Sequence, residues 1–347
     1  MSLSSSSPKS TTPKRRQNVT LADIARQVGV APQVVSIVLN GGKGTASARP
    51  EIRDRIREVA TELGYRPFSA GQALRRGAFQ SVGLLIGPPE DFLLTQPTLS
   101  GLVERLAESD YTATLVHTRS SSLSGLMENP LVRSRHTDGL LIPFVRTPSA
   151  RLREELSSLQ IPVVWMNRSA RHNAIRMDEG DAAAQLVSLY HRKGRKSVTF
   201  VDYSSGGRDA HTRERIRSAE HQAQKLGMNF NTHLRSVPRD QRGEAVAEWL
   251  KTQHAPLHLI VNSLSAAQII LQVGVREGWK VPETLSLASF DNGKGFTANV
   301  PAISCAVRPD YLFGIRSAEM ILEQIQSREA QIPSERLSFD VIEGGTT

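Results

Sequence analysis

Asp91 and Phe92 follow the apolar run SVGLLIG, Phe144 follows DGLLIP, Asn167 and Arg168 close IPVVWMNR, Tyr203 follows TFVD, Asn262 closes LHLIVN and Asp291 closes LSLASFD. Aromatic faces beside hydrogen-bonding ends are what a pocket for a polyol or sugar needs, since rings cover the apolar face of the ligand while amides and carboxylates fix its hydroxyls. Other chemistries find less footing. Cys305 is the one cysteine, so there is no disulfide framework or CxxC site, and the thiol reads as a small buried residue. The nine histidines are scattered, and no Ser-His-Asp set, metal-ligand spacing or acid/base pair can be defended. The phosphate-cradling patterns GxGxxG and GxxxxGK[ST] are absent, which argues against a nucleotide enzyme. No enzyme activity, cofactor or metal is expected.

A second chemistry lies at the other end of the chain. Residues 1–77 hold 13 Lys and Arg against 5 Asp and Glu, a net of +8, while the remaining 270 residues are near neutral, at 30 against 29. That imbalance is the electrostatic footprint of a head that binds nucleic acid, carried on a neutral body.

Elements must position both sets. In LADIARQVGVAPQVVSIVLN, Leu21, Ile24, Ala25 and Val28 recur at helical spacing, as do Val35, Val38 and Leu39, with Gly29 between. Thr20 and Asp23 offer an N-cap and a capping-box carboxylate for the first helix, and Pro32 sits at the first position of the second, where its missing N–H is harmless. A third segment, RPEIRDRIREVATELGY, puts Ile52, Ile56, Val59 and Leu63 on one stripe. Three short helices sharing one small core suit a helix-turn-helix, whose second helix enters the major groove. A helical hairpin packed within the body is the plain alternative, and the local charge of +8 favours DNA. From Ser81 onward, strand-like runs alternate with helices, which argues for parallel sheets wound on both faces. Ligands of such sheets bind beyond the carboxyl ends of the strands, where the residues named first fall.

VTLADIARQVGVAPQVVSIVLN and RDRIREVATELGYRP resemble the N-terminus of the lactose-repressor/galactose-repressor family of bacterial transcriptional regulators, and FSAGQALRRG sits where that family has its hinge helix. The resemblance implies that Pro32, Gln33 and Val34 begin the recognition helix and face base edges, with Thr20, Leu21, Ser36, Ile37 and Asn40 also in the DNA-contacting set. It implies too that Leu74 wedges into the minor groove beside its partner-subunit counterpart. Gln33 is the most informative, because a glutamine pairs bidentately with adenine. The head departs from the family where Ala31 replaces a capping serine, Val34 a threonine and Ile37 a common arginine, so the operator cannot be carried over, and Gly71 in place of a common alanine implies a less ordered free hinge.

The resemblance extends through the body and implies a periplasmic-binding-protein-like clamshell. It places an effector-gripping arginine at Arg215, in HTRERIRSAEHQAQKLG, and an aspartate at Asp291, each able to make two charge-assisted bonds to neighbouring hydroxyls. Ser263 stands where the family has aspartate, and PPEDFLLTQPTLSG lacks the usual Asn-Pro-Phe-Phe, so either the effector is unusual or small-molecule control has been lost. The expected organisation is a disordered basic tail over 1–18, a helix-turn-helix domain over 19–65 and a hinge helix or linker over 66–79. An effector-binding and dimerisation body over 80–347 follows, with one subdomain near 80–178 and 308–337 and the other near 179–307 and 338–347.

The fold class is thus a small all-α head plus an α/β body of two doubly wound parallel-sheet subdomains. The expected partners are double-stranded operator DNA, a sugar-like effector and a second copy of the chain as a homodimer, with no membrane. The first 18 residues read as neither export signal nor anchor, so a cytoplasmic, nucleoid-associated protein is expected. A solute-binding protein of the same body fold would need an export signal and would have no use for residues 18–77.

Overall fold

The computed structural model describes residues 19–40, 48–66, 77–86, 94–117, 136–143, 154, 156, 158, 160–291, 300–327 and 331–347, which fall into two compact units divided after Phe79.

The first unit is three helices, α1 (Leu21–Val28), α2 (Pro32–Asn40) and α3 (Pro50–Glu62). Thr20 caps α1 reciprocally with Asp23: the Asp23 N–H donates to Thr20 Oγ1 at 3.3 Å and the Thr20 N–H donates to Asp23 Oδ2 at 2.9 Å. Gly29 ends α1 in the left-handed region at φ 77°, a conformation that a Cβ would disfavour, and so turns the chain into α2. Ile24, Val35, Ile56 and Val59, each wholly buried, form the centre of one core. Burying each is worth about 1.5 to 3 kcal/mol. No helix has a second core of its own, which is why three that are too short to stand alone fold together.

The second unit holds two six-stranded sheets. The first has the order β11-β5-β4-β3-β1-β2, from β1 (Ser81–Ile86), β2 (Thr112–His117), β3 (Gly139–Ile142), β4 (Val163–Met166), β5 (Ala174–Met177) and β11 (Glu335–Leu337). The second has the order β12-β10-β9-β8-β6-β7, from β6 (Ser197–Asp202), β7 (Asn229–Leu234), β8 (Leu257–Val261), β9 (Leu285–Asp291), β10 (Ser304–Val307) and β12 (Asp340–Ile342). Among the described ladders all are parallel except β10 with β12. The chain therefore passes between sheets three times: after β5, after β10 and after β11. The edge strand β7, NFNTHL, is mostly exposed and has no apolar alternation, so its sequence did not mark it as a strand.

Helices α4 (Gln96–Ala107), α5 (Glu179–Arg192), α6 (Ala210–Lys225), α7 (Arg242–Lys251), α8 (Leu264–Arg276) and α9 (Asp310–Ser327) cover the sheets. One continuous apolar core joins Val82 and Leu84 of the first sheet to Val198 and Phe200 of the second through Leu186, Tyr190, Phe313 and Ile321. α4 and α9 cross at contact distance: a Cβ on Gly101 would lie 2.2 Å from the Tyr311 carbonyl oxygen, and one on Gly314 would lie 2.0 Å from that of Thr98. Among the described residues no helix is long and apolar enough to cross a membrane.

Candidate functional site

In the head, six of the nine residues proposed for DNA, Pro32, Gln33, Val34, Ser36, Ile37 and Asn40, fall on α2. Val35 and Val38 point α2 into the core, leaving Pro32 and Gln33 exposed and Val34, Ser36 and Ile37 half-buried. Asn40 closes α2, Leu21 opens α1 half-buried, and Thr20 is engaged in its cap. Leu74 lies outside the described residues. Arg26, Arg55 and Arg57 each pair with a carboxylate of their own helix, Asp23 at 3.2 Å, Glu58 at 2.9 Å and Asp54 at 3.2 Å. The head's described helices and turns carry 6 Arg against 5 Asp and Glu, so most of the excess of +8 belongs to the segments at 1–18, 41–47 and 67–76.

In the body, a polar network occupies the carboxyl edge of the second sheet. Asp202 ends β6, Asn262 follows β8, Asp291 ends β9 and Arg308 follows β10, while the N-terminal turns of α5 and α6 bring Glu179, His211, Thr212 and Arg215. Arg215 donates from Nε to Glu179 Oε2 at 2.8 Å, and its Nη2 stands 2.6 Å from the same oxygen. Its Nη1 donates to the carbonyl oxygen and to Oδ1 of Asn262, both at 2.9 Å. The guanidinium lies 3.8 Å from the centroid of the Phe290 ring. Asn262 Nδ2 in turn donates to Thr212 Oγ1 at 2.9 Å and Asp202 Oδ1 at 3.2 Å.

Charge states follow from these contacts. Burial works against the Glu179 carboxylate, but Arg215, Arg308 and His211 outweigh it and hold its pKa below the ordinary value. Burial also opposes the Asp202 charge, and donation by Ser204, Gly207 and Ser205 brings its carboxyl down to about 2. His211, with Nδ1 3.7 Å from Glu179 Oε1, is pushed down by burial despite that carboxylate, so its ring favours the neutral form.

Arg215, expected from the sequence to offer its guanidinium to two ligand hydroxyls, is turned to Glu179 and Asn262. Asn262 is likewise engaged on both ends of its amide. Tyr203 is 1% exposed, its ring packed with His233 (5.3 Å between centroids) and Trp249 (6.5 Å) rather than with this network. Among the described residues its hydroxyl has no hydrogen-bond partner. Asn167 follows the first sheet's β4 in the left-handed region at φ 58°, with a buried Oδ1 that has no partner among the described residues, next to Arg168 stacked 4.9 Å over Trp165. Phe92 and Phe144 lie outside the described residues, and Asp291 is placed here as the last residue of its strand only. Ser263, the departure from the family's aspartate, caps α8 through Ala266 N–H at 3.4 Å.

Glu179, Asp202, His211 and Arg308 were not singled out from sequence. Asp202 immediately precedes Tyr203 at the strand end, so the strand-end rule could have found it. Glu179 carried only a helix-start signal, MDEGD, with nothing to pair it with Arg215 36 residues on. The second link between the sheets' elements, Arg176 of β5 to Glu214 of α6 at 2.9 and 3.0 Å, was equally silent.

A family profile described as bacterial regulatory proteins, lacI family, matches residues 20–67, and one described as a periplasmic binding protein-like domain matches residues 187–347. The chain is 28% identical over 337 residues to the HTH-type transcriptional regulator GntR of Pseudomonas aeruginosa, covering 93% of this chain and 94% of that protein. It is 24% identical over 336 residues to catabolite control protein A of Staphylococcus epidermidis, covering 95% and 99%. Among solved structures it is similar in fold to the Lac repressor bound to ONPG in its repressed state, with a TM-score of 0.80 at 16% identity, covering 95% of this chain and all of that one. The regulator CelR in complex with cellobiose gives a TM-score of 0.64 at 17% identity over the same shares.

Proposed function

From the premise that this chain belongs to the lacI family of bacterial regulatory proteins, we propose that it is a transcriptional repressor that binds operator DNA as a homodimer and answers to a small sugar-like effector. The observation that carries the first half is the helix-turn-helix: α2 is held by its inner face alone, and its outer face of Pro32, Gln33, Ser36 and Ile37 is left for the major groove. Val34, Asn40, Thr20 and Leu21 flank that face, and Leu74 acts from the hinge, over 66–79. The protein works in the cytoplasm, at the nucleoid, and turns over no substrate.

The effector site is the strand-end edge of the two sheets, with Asn167, Asn262, Arg215 and Asp291 as polar contacts and Phe92, Phe144 and Tyr203 as its aromatic members. The buried, unpartnered Oδ1 of Asn167 supports this reading, because a buried acceptor left without a donor asks for one. A second reading, a regulator whose effector site has degenerated, is favoured by the engagement of Arg215 with both Glu179 and Asn262.

Fluorescence anisotropy on duplexes from upstream of the protein's own gene tests both, run with and without a panel of neutral sugars and sugar acids. Tight, sequence-dependent binding relieved or strengthened by one compound supports the main reading. Tight binding that no compound moves supports the second, and absence of sequence-dependent binding overturns both.

A further inference from the structure

We infer that the base pairs lying under α2 in the operator are A·T pairs, with Gln33 reading adenine and Ile37 packing on a thymine methyl. This rests on the DNA-binding reading above and goes beyond it by naming the bases.

The nine residues of α2, PQVVSIVLN, include no Lys, Arg, His, Asp or Glu. In the major groove guanine is read chiefly by arginine or lysine on O6 and N7, and the cytosine amino group by aspartate or glutamate, so α2 has none of the side chains that favour a G·C pair most strongly. What its outer face does offer is an exposed amide at Gln33 and a half-buried aliphatic chain at Ile37. An amide matches the donor and acceptor pair on adenine N6 and N7, and the thymine C5 methyl is the one apolar group that the major groove presents. Both partners belong to the same base pair type.

The two side chains are placed to act together. Positions four apart share a helix face and lie about 6 Å apart along the axis. They therefore reach the same or a nearby base pair. Val35 and Val38, on the inner face, pin the rotation of α2 by their burial against Ile24, Ile56 and Val59, so Gln33 and Ile37 cannot exchange places with them. α2 itself contributes no charge: Arg26, Arg55 and Arg57 pair within α1 and α3, and the basic excess of the head lies outside α2 in sequence. Phosphate attraction, which is indifferent to sequence, and base reading are thereby assigned to different parts of the head.

The experiment uses the full chain. A randomised duplex pool is selected for binding, and the selected half-site is then resynthesised with deoxyuridine for each thymidine in turn, or 7-deazaadenine for each adenine. A·T pairs are expected at the positions protected by α2. One deoxyuridine, which removes only a methyl group, should weaken the wild type about fourfold. One 7-deazaadenine should weaken it about tenfold. Ile37→Ala should bind the thymidine and deoxyuridine duplexes equally, with a wild-type circular dichroism melt of the head reporting that it is folded; Gln33→Ala should lose only the 7-deazaadenine effect. Selection of G·C pairs under α2, or a deoxyuridine penalty that persists in Ile37→Ala, overturns the inference while leaving the regulator intact. Failure to select any sequence overturns the DNA-binding reading itself.

Discussion

Glu179 holds Arg215 from 36 residues earlier in the chain, with one carboxylate oxygen 2.8 Å from Nε and 2.6 Å from Nη2 of the guanidinium. Both side chains are under a tenth exposed. The pair joins the first turn of α5, where the chain has just left the first sheet, to the second turn of α6, the helix that follows β6 in the second.

Removing one partner of such a pair strands the other charge in a buried site. Glu179→Ala and Arg215→Ala are each expected to destabilise the body by about 3 to 5 kcal/mol, whereas replacing both with apolar residues of similar volume should cost far less. Thermal melts of the two single variants and of Glu179→Leu/Arg215→Met check this; single variants that melt like wild type would mean that Arg215 is solvated, not paired.

Acid should undo the same edge of the sheet in a defined window. The folded pKa of Asp202 is about 2 against an ordinary 3.8, so its contribution is fully present above the unfolded value and is lost as pH falls through the folded one. A shift of this size corresponds to about 2 kcal/mol. Urea melts from pH 6 down to pH 2 should show stability falling below pH 4 in the wild type, with a shallower fall in Asp202→Asn.

Deleting residues 1–77 should abolish DNA binding and leave a folded dimeric body, since that segment holds +8 of the total charge of +9 and the two sheets have their own core. For the full chain, log K should fall by about 0.9 per neutralised phosphate for each unit rise in log salt. Anisotropy across a salt series reads both; a body fragment that retained the wild-type salt slope would move the DNA site out of the head.

Thr20→Ala removes one half of a reciprocal cap and should cost the head about 1 kcal/mol, with little change in the body. Gly314→Ala does the reverse: its Cβ would meet the Thr98 carbonyl at 2.0 Å, so α9 must part from α4 and the body alone should lose stability. Calorimetry of the full chain, which resolves the two units, separates these outcomes.

The head was legible because what shapes it is local. Thr20, Asp23, Gly29 and Pro32 act on backbone within a few residues, and the stripe of Ile56 and Val59 repeats at helical spacing. The body was legible as a class, through its apolar strand runs, and less so as a site. Strand ends say which residues stand near a ligand edge but not which face they turn to: Tyr203, one position past Asp202, goes to the aromatic cluster while Asp202 joins the polar network. Partners such as Glu179 for Arg215 are set by the crossing of the chain between sheets, and no short stretch of sequence records that.

The three passages between the sheets also bear on how the body is made and lost. Neither sheet corresponds to one stretch of chain, because β11 and β12, one edge strand of each sheet, both follow β10 and α9 in sequence. A growing chain can complete neither until β11 and β12 have emerged, and no single cut can release one sheet whole. With Tyr190 and Phe313 shared by both, the body is built to melt in one transition, separate from that of the three-helix head.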